Sequence, residues 1–143
     1  MYETYTRQSL PLKYYRELLG SALCVFNSNI AFLIENILNY DDKHGFNWYQ
    51  LMDMTSGELK KYTTIITSKT KSYRIGVLFA DLVEIRNRII HSFQFTDIDG
   101  EQRLATKDRD NKQYVISEEY LLSFMRMNEE FCLELYATRD GKK

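Results

Sequence analysis

Residues 73–92 read Tyr-Arg-Ile-Gly-Val-Leu-Phe-Ala-Asp-Leu-Val-Glu-Ile-Arg-Asn-Arg-Ile-Ile-His-Ser. On a helix turning about 100° per residue, Ile75, Leu78, Phe79, Leu82, Ile85 and Ile89 fall on one stripe. The spacing predicts a helix from Tyr73 to about Ser92 that buries this stripe against other helices. Arg86 lies near the middle of the same stripe, close to Ile75, Phe79 and Leu82, whereas Glu84 and Arg88 project to the polar side. An unpaired charge buried there costs on the order of several kcal/mol. Two explanations stand: an ion pair with an acid on another helix, Glu35 being the candidate, or a guanidinium facing a cleft or symmetric interface where it meets an anion. On an ideal helix Asn87 and His91 share a face, with Arg86 to one side. The helix is expected to end at His91-Ser92, where the imidazole can swing toward Arg86. A histidine at a helix C-terminus also has a purely structural use, capping carbonyls and complementing the dipole.

Outward from this segment, helix dominates. Only one Pro and 6 Gly interrupt 143 residues. Pro11 suits a helix start, and apolar residues recur at helical spacing from Leu12 to about Tyr40, with a possible relaxation at Asn27-Ser28-Asn29. Asp41-Asp42-Lys43-His44-Gly45 is turn-rich, and His44 in it is read as incidental. A short helix is expected from Phe46 to about Met52. Thr55-Ser56-Gly57-Glu58 has the form of a capped helix start, leading into a helix over Leu59–Ile66. Ser68–Ser72 reads as a polar break. After Ser92 the pattern alternates. Phe93–Thr96, Gln102–Thr106 and Gln113–Ile116 read as short strands separated by turns, a small antiparallel insert over residues 93–116. Ser117-Glu118-Glu119 then caps a last helix carrying Tyr120, Leu121, Phe124, Met127, Phe131 and Leu135. Residues 1–10 read as a loose arm and 139–143 as a polar tail. The fold class is mainly all-α: one domain over residues 1–143, a bundle of four to five helices with a β-hairpin or meander before the last.

Composition narrows the function. A length of 143 residues suffices for a core without disulfide or metal staples. A net charge of -1 disfavours histone-like DNA binding but leaves room for a local RNA-binding patch. Cys24 and Cys132 are expected as small buried hydrophobes, and two Cys with two His argue against a single-chain zinc site. No cofactor is implied. No signal-peptide pattern opens the chain and no apolar run is expected to approach the ~20 residues of a membrane span. A cytoplasmic protein without a membrane partner is therefore expected.

The segment Arg86-Asn87-Arg88-Ile89-Ile90-His91, preceded by Phe79-Ala80-Asp81-Leu82-Val83-Glu84-Ile85, resembles the Arg-(four to six residues)-His motif of HEPN domains. The polar residue just after the arginine belongs to that pattern. The resemblance implies a helical bundle that usually dimerises and acts as a metal-independent ribonuclease, as in bacterial toxins and phage-defence effectors. It implies that Arg86 and His91 are the catalytic pair, with Asn87 as polar support, and that an antitoxin or regulatory protein is a possible partner. The alternative within the same resemblance is a non-catalytic module that binds RNA, a nucleotide or a protein. This chain continues His91-Ser92-Phe93 where many HEPN toxins read His-x-Tyr. It therefore lacks the hydroxyl that nucleotidyltransferase antitoxins modify.

The residue types suit RNA cleavage. RNA carries its own nucleophile, the 2′-OH. Histidine exchanges protons near neutrality, and arginine presents a permanently charged planar fork to phosphate oxygens. One such histidine per chain is too few for a two-histidine mechanism, but a twofold dimer supplies two. For holding RNA, two groups of cations stand out. Lys60, Lys61, Lys69, Lys71 and Arg74 lead into the motif helix, on which Arg88 is a further candidate RNA contact, and Arg103, Lys107, Arg109 and Lys112 lie in the insert. Tyr73 and Tyr114 are candidate base-stacking rings.

Overall fold

A computed structural model describes residues 2–141. Helix α1 (Lys13–Tyr40) follows Pro11 and runs unbroken through Asn27–Asn29. The expected relaxation is absent because Asn29 is recruited into the core. Its amide donates to Asn128 O at 2.9 Å and Asn128 Oδ1 at 3.0 Å on the last helix. α2 (Trp48–Met52) is fixed by a capping box between Asn47 and Gln50. α3 (Ser56–Leu59) starts at Thr55, whose hydroxyl accepts the Glu58 N–H at 3.1 Å.

The single helix expected over Leu59–Ile66 is instead divided. A 3₁₀ turn (Lys60–Tyr62) separates α3 from α4 (Thr63–Thr70). Threonine hydroxyls at this junction donate to carbonyls three residues back, Thr63 to Lys60 O at 2.8 Å and Thr64 to Lys61 O at 2.7 Å. Such bonds accompany tightened turns among β-branched residues. The break before the motif helix also falls later than expected. α4 continues through Ser68 and Lys69 and ends at Lys71, which takes a left-handed φ of 60°.

α5 (Arg74–Ile90) is the expected motif helix and buries Ile75, Leu78, Phe79, Leu82, Val83 and Ile89. Strands β1 (Phe93–Thr96), β2 (Gln102–Lys107) and β3 (Gln113–Ile116) form an antiparallel sheet in the order β1-β2-β3. α6 (Glu118–Gly141) returns along α1. The protein is thus mainly helical, with a small three-stranded sheet before the last helix.

The core is aromatic at its centre. Phe79 of α5 stacks between Phe26 of α1 and Phe131 of α6, with ring centroids 6.4 Å and 5.5 Å away, and Phe124 lies 6.0 Å from Phe26. The sheet is tied to the bundle by Tyr15. Its buried hydroxyl donates to Ile116 O at 2.5 Å and accepts the Leu104 N–H at 3.3 Å, and burial raises its phenol above the usual range.

Several expectations change here. Cys24 is exposed and Cys132 only half-buried. Cys24 lies two residues from each of the buried Ala22 and Phe26, which on a helix turns it to the far side. The expected tail at Arg139 is helical: α6 reaches Gly141, with Thr138 buried against Asn36, and residues 142–143 lie outside the described residues. The expected loose arm is held at several points. Arg16 pairs with Glu3 at 2.9 Å, and Gln94 donates to Ser9 O at 2.6 Å. Finally, α1 as a whole is long and apolar enough to cross a bilayer by length and composition, despite the interspersed polar residues. In this fold one side of it, including Phe26, Leu33, Ile34 and Ile37, is buried in the core.

Candidate functional site

The C-terminal end of α5 carries the motif. Arg86 is half-buried on the side that faces α1, with its guanidinium carbon 5.9 Å from the centroid of the Phe26 ring. Its Nη1 donates to Asn87 Oδ1 at 3.2 Å. Among the described residues no carboxylate forms an ion pair with it. The expected candidate, Glu35, is exposed on the other side of α1. Asn87 is thus the side chain that engages the Arg86 guanidinium by a hydrogen bond.

The helix ends where the alternation predicted. His91 caps α5 with φ -94° and ψ 30°, its N–H still bonded to Asn87 O at 2.9 Å. Ser92 closes the turn, its hydroxyl donating to Ile89 O at 2.7 Å. His91 is exposed, and its imidazole does not reach Arg86 by any hydrogen bond. Five residues of helix separate the two by about 140° around the axis and about 7.5 Å along it. The inward swing is thus not made within one chain.

Arg88 is placed differently from the expectation of an RNA contact. It clamps Glu84 through Nε at 3.0 Å and Nη2 at 2.8 Å, and Glu84 also receives Arg109 from the β2–β3 loop at 3.4 Å. The Arg88 hydrogen bond is the main cause that holds the Glu84 carboxyl below the usual carboxylate range. Tyr114 and Tyr120 close this corner, their hydroxyls 3.3 Å apart, and burial pushes the Tyr120 phenol well up. Tyr114, expected as a stacking ring, is packed 5.8 Å from Tyr120. Tyr73 is exposed, but at the opposite end of α5.

The remaining expected cations split into two places. Lys69, Lys71 and Arg74 sit around the N-terminal end of α5, about 25 Å from His91 by helix length. Lys69 is paired with Asp42, and Arg74 with Glu130 at 2.9 Å and Glu134 at 3.7 Å. They do not form one track with the motif. Arg103 is engaged by Asp97 at 3.3 Å and Glu118 at 3.8 Å, and lies over the Tyr15 ring. Lys107, in contrast, is exposed at the end of β2 and makes no ion pair with the described residues.

A separate cavity of about 480 Å³ lies between the end of α1 and α4, lined by Phe46, Lys61, Tyr62 and Ile65 among others. It is built at the end of the bundle away from His91. Among the described residues no three His, Cys, Asp or Glu side chains converge as a metal-ligand set. What sequence reasoning missed is Phe93 and Phe95. Their alternation marked a strand, and the register now puts both on the solvent face of the sheet, starting two residues after His91.

Compared with protein-family models, curated proteins and solved structures, the chain matches none.

Proposed function

We propose that this chain is a HEPN-type endoribonuclease acting as a homodimer, with Arg86 and His91 as its catalytic residues and a role as a toxin or phage-defence effector. The observation that carries the reading is a half-buried guanidinium with no carboxylate partner among the described residues, on a helix that ends in an exposed histidine. A structural arginine in an apolar setting is normally neutralised by an acid. This one is left with an amide and a ring face, which keeps its charge available for phosphate.

In the proposed reaction the 2′-oxygen attacks phosphorus while the P–O5′ bond breaks. The products are a 2′,3′-cyclic phosphate and a 5′-hydroxyl. One histidine takes the 2′-proton and another protonates the leaving 5′-oxygen. Arg86 balances the charge that gathers on the phosphorane oxygens. Two motif helices meeting at a twofold axis supply the second histidine and bring an Arg86 and a His91 from different chains together.

The test is cleavage of a labelled RNA by the purified protein with chelator present. RNA should be cut, the matching DNA should not, and His91→Ala should abolish cleavage while keeping its helical circular dichroism. Undiminished cleavage by the folded His91→Ala protein removes this reading. A second reading is favoured by the divergence of Arg86 and His91 within one chain: a non-catalytic module that binds RNA. It predicts RNA binding by the wild-type protein with no product under single-turnover conditions.

A further inference from the structure

We propose that the solvent face of the three-stranded sheet is a stacking platform for the bases of single-stranded RNA, beginning beside His91 and running along β1. The inference rests on the proposed RNA substrate but concerns a site outside the Arg86–His91 pair.

The sheet has two faces of different use. Alternation turns Leu104, Thr106 and Ile116 inward, where Thr106 and Ile116 are buried and Leu104 packs on the core. The opposite face carries Phe93 and Phe95 on β1. Register places Ala105 across from Phe93 and Val115 across from Ala105. Phe93 and Val115 remain 46% and 48% exposed, whereas the small Ala105 between them is 7% exposed. The result is a shallow trough of about 280 Å³ walled by Phe93, Phe95, Val115 and Gln113. Folding already uses the inner face, so an apolar outer face is surplus to the core of this chain. Two rings at i and i+2 on one strand are about 6.8 Å apart, room for a planar base against each ring.

Charge selects the occupant. The outward register positions of β2 and β3 are Arg103, Ala105, Lys107, Gln113 and Val115; Arg103 is engaged by Asp97 and Glu118, whereas Lys107 makes no ion pair with the described residues. Lys107 lies one outward step along β2 from the Phe93–Ala105 pair, on the side of His91. In the adjoining β2–β3 loop, Asp108 Oδ1 is occupied by the backbone N–H groups of Asp110 and Lys112 at 2.9 Å and 3.0 Å, while Lys112 is exposed. An apolar aromatic surface bordered at its His91 end by Lys107 and Lys112 matches a ligand with planar bases on an anionic backbone. Its position brings the next phosphate of such a strand toward the end of α5.

The test uses His91→Ala protein, so that RNA stays intact, and a fluorescent, unstructured oligoribonucleotide read by anisotropy. Phe93→Ala and Phe95→Ala should each weaken binding about tenfold, the low end of what a stacked base contributes. Phe93→Leu, which keeps apolar bulk without the ring, should lose the same affinity, and circular dichroism confirms its fold. Phe93→Trp, in a Trp48→Phe background, should bind like the parent and lose indole emission as RNA is added. Lys107→Ala should lower the salt slope of binding by about 1. Unchanged affinity in folded Phe93→Leu, or an unquenched Phe93→Trp at saturating RNA, overturns the proposal. So does a Phe93→Leu effect confined to self-association by light scattering, which makes the face a contact between copies of this chain. Ring-dependent binding by a wild-type protein that never cleaves leaves the platform standing and removes the nuclease reading. Cleavage with a KM unaffected by Phe93→Leu does the reverse.

Discussion

Replacing Arg86 by Met separates a functional arginine from a structural one. The structure shows what the substitution removes: one hydrogen bond to the neighbouring Asn87 and one ring contact with Phe26. The first is worth about 1.5 kcal/mol, the low end for a bond to a charged group, because the site is only half-buried, and the second about 0.5–1 kcal/mol. The gain is of similar size. Met keeps the length of the stem, and about 40 Å² of added apolar burial contributes about 1 kcal/mol, while the desolvated charge is gone. The two sides cancel to within about 1 kcal/mol, equivalent to a Tm within about 4 °C of the parent for a chain this size. Had Arg86 been paired with a buried carboxylate, the same change would cost about 3–5 kcal/mol and lower Tm by more than about 10 °C. Thermal unfolding by circular dichroism reads the first quantity, and cleavage of a labelled RNA reads the second. The expected outcome is a near-parental Tm with cleavage lost. A Tm lowered by more than about 10 °C refutes the reasoning, since Arg86 would then be holding the fold through a partner the geometry lacks. A near-parental Tm with full cleavage refutes the catalytic role instead.

Two further predictions concern the scaffold. Asn29→Ala removes both donors to Asn128 and strands its buried carbonyl oxygen, Asn128 Nδ2 remaining bonded to Phe124 O. The cost should be about 1–3 kcal/mol in urea unfolding, and a loss under about 0.5 kcal/mol contradicts it. The Glu84 carboxyl sits below the usual range, so its clamp on Arg88 and Arg109 contributes stability above the unfolded carboxylate value and loses it as pH falls through the depressed folded one. Glu84→Gln should therefore flatten the acid limb of a stability–pH curve while leaving the neutral limb unchanged in shape, and an unaltered acid limb counts against the clamp.

Much of this fold was legible in order of residues alone. Three long helices declared themselves by 3.6-residue periodicity, and the strands by two-residue alternation between turn signals, because those periods are properties of local backbone geometry. The segment 59–73 was less legible. Threonine hydroxyls compete for carbonyls there, and the outcome depends on bonds three residues apart rather than on the apolar pattern. Cys24 and Cys132 misled for a related reason: an apolar neighbourhood in sequence does not say which side of a helix faces inward.

For the candidate site the division is similar. Sequence alone determined that a charge interrupts the apolar stripe of residues 73–92 and that the helix stops at His91, since both follow from spacing along one element. Only the tertiary structure decided what surrounds them. It showed Arg86 against Phe26 rather than Glu35, Arg88 and Arg103 engaged by acids, and Lys69 and Arg74 paired about a helix length from His91. Ion pairing and the choice of sheet face depend on what other segments bring alongside, and that information is spread over pairs of residues as distant as Tyr15 and Ile116.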